Sequence, residues 1–444
     1  MSPLPLPVKE RLLAAMVAGR LVVVCGAGLS VGAPSHLPSA VSISRSCFDQ
    51  YRLMNPALPP GLRDNLEELA DYFFDRGMLH THFIAHLVPW ASMIGVPNSG
   101  HEAVADFLLI GAIDYAFTTN FDWLIERAGE ELGAYLVASL TAGEANAHQA
   151  HHRPLLKAHG CGRREPQQTV WTRRQLPIAP VAARISGIRD WLAARLPNRD
   201  LLVLGFWTDW GYLSQALETC LSAGQPATVT VVDPASGPEL QARAPTLWTI
   251  LHAGGVTFEH LQLSAAEVLS ELREGISRTY VRHLLQMGSV AYQAAFGVPC
   301  PAAWLGGHDI PQEDLYTVRR DAEGVPIGRP TRQKAPTPTA QAFGFFLLAL
   351  RHSDAQREGD LFRLADGRLV RVVNGAGRWI RNIEEEYAHE PPAGVAPDLV
   401  ACIGSIDYGV PASVVRSGRP ASVVRPGSRG LWLDDAASRA LVGV

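Results

Sequence analysis

Short apolar runs alternate with amphipathic segments along the first 280 residues of the chain. Helical spacing separates most of these runs, for example over "DWLIERAGEELG" and around 210–222. Near-continuous apolar strands that alternate with helices indicate a parallel sheet covered on both faces. We therefore predict a Rossmann-like α/β domain. The apolar runs that we expect to form its strands are 21–25, 112–122, 155–160, 201–209 and 228–234.

The pattern is helical between about 40 and 108. The segment "NLEELADYFFDRGMLHTHFIAHLV" places Leu66, Leu69, Tyr72 and Phe73 three or four residues apart, which puts apolar side chains on one helix face. We predict a helical insertion that follows the first strand and its turn.

The alternation stops after about residue 280, so we expect a first domain over 1–280 and a second over 281–444. In the second, "LFRLADGRLVRVV" (361–373) predicts a β-hairpin with Asp-Gly as its turn. Residues 411–430 contain a near-tandem repeat of PASVVR with four arginines and no acidic residue. This repeat fits an exposed loop or edge ribbon, and also a basic contact surface. We expect a mixed α+β region for oligomerisation or partner binding.

Composition and charge are those of an ordinary globular protein. Of the 444 residues, 47% are hydrophobic and 18% charged, and the formal net charge of -4 gives no general attraction to nucleic acid or acidic membranes. The six cysteines form no C-x-x-C pair, which excludes a zinc ribbon or a disulfide framework and suits a reducing cytosol. Apolar runs such as 342–350 are well short of the ~20 residues of a membrane span. We expect a cytoplasmic protein.

The first candidate for chemistry is the turn Gly26–Ala27–Gly28, which follows the apolar run 21–25 and precedes Ser30. Glycine allows the main chain to approach a ligand closely, and the helix expected next would direct its amides and dipole at a pyrophosphate. Ser30 could hydrogen-bond a phosphate oxygen. Since Val31 replaces the third glycine of G-x-G-x-x-G, a purely structural turn fits this motif equally well.

Two further candidates lie at the ends of predicted strands. Thr118, Thr119, Asn120 and Asp122 end one strand, and polar side chains there are costly to bury unless partners or a ligand satisfy them. Capping of the next helix could account for one of these side chains, but hardly for all. His159 ends another strand, where a single histidine is more often structural than catalytic.

A cluster of histidines around "NAHQAHHRP" could suggest a metal. We interpret this stretch as an exposed loop, because no nearby carboxylate or cysteine completes a site, and we predict no metal. The histidines concerned are His148, His151, His152 and His159.

In this order, "GAGLS", "TTNFD", "LLKAHG" and "LVLGFWTDW" resemble the successive motifs of the sirtuin family. The resemblance covers about residues 10–275 and is strongest to the zinc-less, SIR2-like domains of bacterial anti-phage defence proteins. It implies that the predicted α/β domain binds NAD beside a smaller helical part. The four-cysteine zinc module of deacetylase sirtuins is missing, and only Cys161 lies near its position.

The resemblance also implies roles for individual residues. Asn120 and His159 would be catalytic: Asn120 would hold the nicotinamide ribose and a water, and His159 would act as a base beside the ribose hydroxyls. Asp122 would hold the nicotinamide carboxamide. The other implied NAD-binding residues are Gly26, Ala27, Gly28 and Ser30 at the phosphates, Gly205 and Phe206 near the adenosine half, Asp233 at a ribose, and Thr119.

The resemblance therefore implies an NAD+ hydrolase that releases nicotinamide and ADP-ribose, with NAD as substrate and no metal. We expect the effector of an abortive-infection system, a homo-oligomer activated by assembly or by a partner such as a HerA-like ATPase or a short Argonaute. Two alternatives stay open. The first is a non-catalytic module that senses NAD or ADP-ribose. The second is an NAD-dependent protein deacylase, against which the missing zinc module argues.

Overall fold

A computed structural model describes residues 4–207, 210–222, 228–252, 256–331, 337–391, 394–406 and 432–444. The chain divides into two compact units. Unit 1 consists of residues 1–130 and 135–272, and unit 2 of residues 131–134 and 273–444. None of the helices in the described ranges is both long and apolar enough to cross a membrane.

Unit 1 is built on a seven-stranded parallel sheet, which confirms the predicted α/β, Rossmann-like fold. Its strands follow the order β3-β4-β2-β1-β5-β6-β7. Their bounds are β1 Leu21–Cys25, β2 Tyr115–Thr118, β3 Ala138–Ser139, β4 Leu155–Lys157, β5 Asp200–Leu204, β6 Thr228–Val232 and β7 Thr257–Leu261.

Burial explains which strands the sequence pattern indicates. Every residue of β1, β2 and β5 is buried, as near-continuous apolar runs predict. The pattern does not indicate β3 and β7. β3 has only two residues, and β7 is an edge strand with largely half-buried side chains, so neither presents a long apolar run.

The predicted helical insertion is present between β1 and β2. Besides short 3₁₀ turns it contains the helices Ala40–Arg52 and Leu66–Asp75, a π-helix over Leu79–Leu87 and the helix Ser99–Ile110. Most of the insertion packs around its own apolar core. The helices of unit 1 are α1 Leu6–Val17, α2 Gly28–Val31, α3 Ala40–Arg52, α4 Leu66–Asp75, α5 Ser99–Ile110, α6 Leu124–Glu131, α7 Ala142–His148, α8 Val181–Arg195, α9 Gly211–Ser222, α10 Gly237–Arg243 and α11 Pro245–His252, followed by α12 Ala265–Phe296, which continues into unit 2.

Unit 2 holds a five-stranded mixed sheet, as a mixed α+β region predicts. β10, β11 and β12 are parallel, whereas β8 and β9 pair antiparallel. The predicted hairpin is confirmed, because β9 pairs with β10 across the turn at Asp366–Gly367. The repeat at 411–430 lies outside the described residues. The elements are α13 Gln312–Glu323, α14 Thr337–His352, β8 Gln356–Glu358, β9 Leu361–Arg363, β10 Leu369–Asn374, α15 Ile380–Tyr387, β11 Leu399–Ile403, β12 Trp432–Leu433 and α16 Asp435–Ala440.

Candidate functional site

A pocket of about 610 Å³ lies at the carboxyl edge of the unit 1 sheet. Its size falls within the ~300–1,000 Å³ of small-molecule sites, and ligands of parallel sheets bind at this edge. The turns after β1, β2, β4 and β5 contribute to it. The predicted site residues that line it are Ala27, Ser30, Thr119, Asn120, Asp122, His159, Gly205 and Phe206.

Gly26 and Gly28 are not among the lining residues, because their backbone packs against the turn after β5. Gly26 N donates to Leu204 O (2.9 Å) and Gly28 N donates to Gly205 O (3.0 Å). A Cβ on Gly28 would lie 2.7 Å from Gly205 Cα, closer than non-bonded atoms approach. Close packing of two strand-end turns therefore requires these glycines.

The helix expected after the glycine turn is only one turn long, Gly28–Val31. Its first amides are already bonded: Leu29 N donates to Gly26 O and Ser30 N donates to Ala27 O, each over 3.0 Å. Two of the amides that were expected to face a pyrophosphate are therefore used within the turn itself.

Replacing Gly205 by alanine should lower the free energy of unfolding by about 1–3 kcal/mol through overpacking, with strain at its φ of +55° in addition. A Cβ there would lie 2.6 Å from Gly28 Cα. Urea unfolding followed by circular dichroism measures the loss. Gly19→Ala has a similar φ of +63° in open space and isolates the strain, and Gly32→Ala has neither problem. Equal stability of all three variants would contradict the packing argument.

Ser30 is held in a buried chain of hydrogen bonds that ends on Asp122. The backbone N–H of Asn98 donates to His101 Nδ1 (3.2 Å), so the proton of the neutral imidazole lies on Nε2. Nε2 donates to Ser30 Oγ (3.1 Å), and the Ser30 hydroxyl donates to Asp122 Oδ2 (3.1 Å). Burial lowers the pKa of His101 to about 4, which keeps it neutral. The chain fixes one oxygen of a carboxylate that lines the pocket.

Asn98 and His101 were not among the predicted site residues. They form the capping box that begins α5, in which Asn98 Oδ1 accepts from the N–H of His101 (3.2 Å). Asn98 Nδ2 also donates to Leu29 O (2.8 Å), which ties this helix to the glycine turn. The sequence "NSGH" indicates a helix start, but nothing local indicates that it faces Ser30.

The sequence left open which of the polar residues at the end of β2 cap the next helix and which face a ligand. The structure separates these roles among Thr119, Asn120 and Asp122. Asp122 Oδ1 accepts from the N–H of Leu124 (3.2 Å) and so caps the start of α6, as the capping alternative predicts for one of these residues. The side chains of Thr119 and Asn120 make no hydrogen bond to the described part of the protein. Both line the pocket and are available to a ligand.

His159 lies at the pocket wall with 3% of its surface exposed. Its ring lies edge-on to Trp210, with 4.1 Å between centroids, and its Nε2 is 3.4 Å from the Tyr212 hydroxyl. Burial, with a smaller contribution from the Arg184 guanidinium, lowers the pKa of His159 to about 3. The imidazole is therefore neutral at pH 7. Sequence reasoning missed Tyr212, which folding brings from α9.

A buried cation supports the Asn120–Asp122 turn from behind. Lys157, 1% exposed, donates to the backbone carbonyl of Asp122 and forms an ion pair with Glu126 (2.7 Å). Burial lowers the pKa of Lys157, but the nearby Glu126, Cys161 and Asp122 outweigh this and raise it above its usual value. Lys157 is therefore charged and fixes the carbonyl beside the pocket.

Asp233 lies at the end of β6 but is not among the residues that line the pocket. Its carboxylate accepts from the N–H of Ala235 (2.9 Å), and its backbone carbonyl contacts His260 Nε2 (3.1 Å). In this structure Asp233 therefore fixes its own turn.

The stretch "NAHQAHHRP" is only in part the exposed loop that we expected, since His151 is exposed but His148 and His152 have defined partners. His148 ends α7 and bonds to Ser139 Oγ (2.8 Å), and His152 is buried and accepts from the N–H of Val137 (3.3 Å). Within the described ranges, no three His, Cys, Asp or Glu residues are grouped as metal ligands.

The fold and the pocket define an α/β protein with a candidate ligand site at the strand ends of a Rossmann-like sheet. Residues 114–252 of this chain match the family model of the SIR2-like domain. The matched segment contains Asn120, Asp122 and His159. No curated protein matches the sequence.

Solved structures that are similar to this chain include those of Sir2 proteins. A Sir2 homologue in complex with NAD is 17% identical with a TM-score of 0.32, and the match covers 61% of this chain and 94% of that chain. A Sir2 homologue mutant in complex with 2'-O-acetyl ADP ribose is 16% identical with a TM-score of 0.33, covering 61% of this chain and 97% of that one.

Proposed function

We propose that the pocket binds NAD+ and that the protein hydrolyses its nicotinamide N-glycosidic bond to give nicotinamide and ADP-ribose. The observation that carries the proposal is the meeting of Asn120, Asp122 and His159 in one pocket, with the Asn120 amide unbonded to the described protein. The match of the segment around them to the SIR2-like domain supports the same substrate.

Asp122 would orient the nicotinamide. Each of its carboxylate oxygens already accepts one hydrogen bond, from Leu124 N and from Ser30 Oγ, and each has a further lone pair. A carboxamide NH₂ can therefore donate to a carboxylate whose position is fixed. Bonds that hold the carboxylate before the substrate arrives reduce the cost of ordering it during the reaction.

Bond cleavage makes the ribose carbon cationic, and a water must then attack it. Asn120 would position this water or the adjacent ribose hydroxyl with its unbonded amide. His159, neutral at pH 7, would accept a hydrogen bond or a proton from a ribose hydroxyl or from the water. Burial among Trp210 and Tyr212 keeps bulk water away from this imidazole.

The biological setting belongs to the same proposal. A free NAD+ hydrolase would deplete its own cell, so we propose that activity depends on assembly or a partner, as in anti-phage defence, with residues 281–444 as the region for this contact. Light scattering of the full chain and of Arg381→Glu, an exposed charge reversal on α15, measures the oligomeric state.

NAD+ incubated with the purified, assembled protein should yield equimolar nicotinamide and ADP-ribose on HPLC. Asn120→Ala should reduce the rate by about 10²-fold, as loss of a transition-state hydrogen bond does. Gln50→Ala, an exposed amide on α3 that does not line the pocket, is the matched control and should leave the rate unchanged.

Consumption of NAD+ only when an acyl-lysine peptide is present would instead show a deacylase. Tight NAD+ binding without turnover in any assembly state would show a sensor.

A further inference from the structure

A second pocket, of about 500 Å³, lies within unit 1 at the start of α8. It shares no residue with the first pocket. One wall is apolar and consists of Phe74, Ile178 and Pro180, whereas Gln167, Gln168 and Arg184 bring polar groups. No aspartate or glutamate is among the lining residues in the part of the chain that the structure describes. This composition suits a molecule with an apolar body and a negatively charged group.

Among the described residues that line the pocket, Arg184 is the one arginine or lysine, and its charge is poorly compensated. Its Nη2 donates to Gln168 O (3.0 Å), and its Nε is buried without a partner in the described structure. Nη1 has no hydrogen bond to the described residues, and no carboxylate of these residues lies within ion-pair distance. Burial lowers the pKa of Arg184, against a smaller opposite contribution from Glu165.

Two neighbouring arginines, unlike Arg184, each form an ion pair with a carboxylate. Arg164 pairs with Glu144 (3.0 Å), and Arg189, five residues further along α8, pairs with Asp190 (2.9 Å). Half-buried charges are normally paired, because desolvation of an uncompensated charge is costly. Arg184 therefore presents guanidinium donors to a pocket in which no protein anion meets them.

We propose that this second pocket binds a small anionic molecule whose phosphate or carboxylate group pairs with Arg184. The guanidinium donors match the oxygens of either group. The apolar wall of Phe74, Ile178 and Pro180 takes the uncharged part of the ligand, and the volume suits a molecule of about nucleotide size.

The bound anion would change the electrostatic environment of His159 at the first pocket, a consequence that rests on the proposed function. The charge of Arg184 acts on both His159 and Tyr212 and disfavours a proton on His159. An anion on Arg184 offsets that charge, so the His159 imidazole accepts a proton more readily. Occupancy of the second pocket therefore tunes the base of the proposed hydrolysis.

Isothermal titration calorimetry of the full chain with pyrophosphate and, separately, with citrate tests the binding without any NAD+ turnover. Arg184→Gln should weaken the better ligand by at least about tenfold, the loss expected for one charge-assisted hydrogen bond. Arg189→Gln, on the same helix, should bind as the parent does. The probe that binds more tightly, pyrophosphate or citrate, shows whether the pocket prefers a phosphate or a carboxylate.

A second variant keeps the cation and blocks the space. Ala183→Trp places a bulky side chain in the wall of the second pocket and leaves Arg184 unchanged. Because it takes up space that the ligand needs, it should weaken binding as well. Thermal unfolding of both variants verifies that they fold. Parent-like affinity in Arg184→Gln, or no binding of either probe by the parent at millimolar concentration, would overturn the proposal. Since neither residue lines the first pocket, these results are independent of whether NAD+ is hydrolysed.

Discussion

Replacing His159 by alanine should slow NAD+ cleavage by about 10²–10⁴-fold, the contribution that a positioned general base typically makes. NAD+ binding should change little, because the first pocket keeps Ala27, Asn120 and Asp122. HPLC of nicotinamide release and calorimetric titration of NAD+ separate the two effects. The comparison uses the assembled protein in which the parent turns over.

The control for this change is His151→Ala, an exposed histidine that is not among the pocket residues. Its rate should equal that of the parent. Because the pKa of His159 is lowered to about 3, its imidazole stays neutral between pH 5 and 8. The parent rate should therefore show no fall centred near pH 6.5, where an exposed histidine titrates. Parent-like turnover by His159→Ala would remove this residue from the mechanism.

Replacing Lys157 by methionine should lower the free energy of unfolding of the protein by about 3–5 kcal/mol, the cost of breaking a buried ion pair by removing one partner. The change leaves the Glu126 carboxylate buried without its cation and removes the donor to the Asp122 carbonyl. Urea unfolding at pH 7 measures the loss, and NAD+ affinity should fall with it because Asp122 loses a support.

Two companion variants make this prediction specific. Lys157→Met combined with Glu126→Leu should recover much of the stability, because apolar replacement of both partners leaves no uncompensated charge. Arg163→Met breaks an ion pair with Glu130 that is half exposed on both sides and should cost less than about 1 kcal/mol. Equal losses for Arg163→Met and Lys157→Met would show that burial of the pair is irrelevant.

The periodicity of the sequence was sufficient for the architecture of unit 1. Runs such as 21–25 and 201–204 are apolar at every position because their strands are buried on both faces, and this pattern is local. The polar residues Thr118, Thr119, Asn120 and Asp122 were likewise predictable as a strand end. Edge elements were not, since β3 has only two residues and the side chains of β7 are largely half-buried, so neither presents a long apolar run.

What the sequence by itself determined is therefore the alternation of strands and helices, and with it the edge at which Asn120 and His159 would lie. Only the tertiary structure decided which groups meet there. β1 lies between β2 and β5 in the sheet, and both of these strands are far from β1 along the chain. That order presses Gly28 against Gly205 and gives Ser30 its partner His101. No local pattern encodes such contacts, since they depend on which strand ends become neighbours.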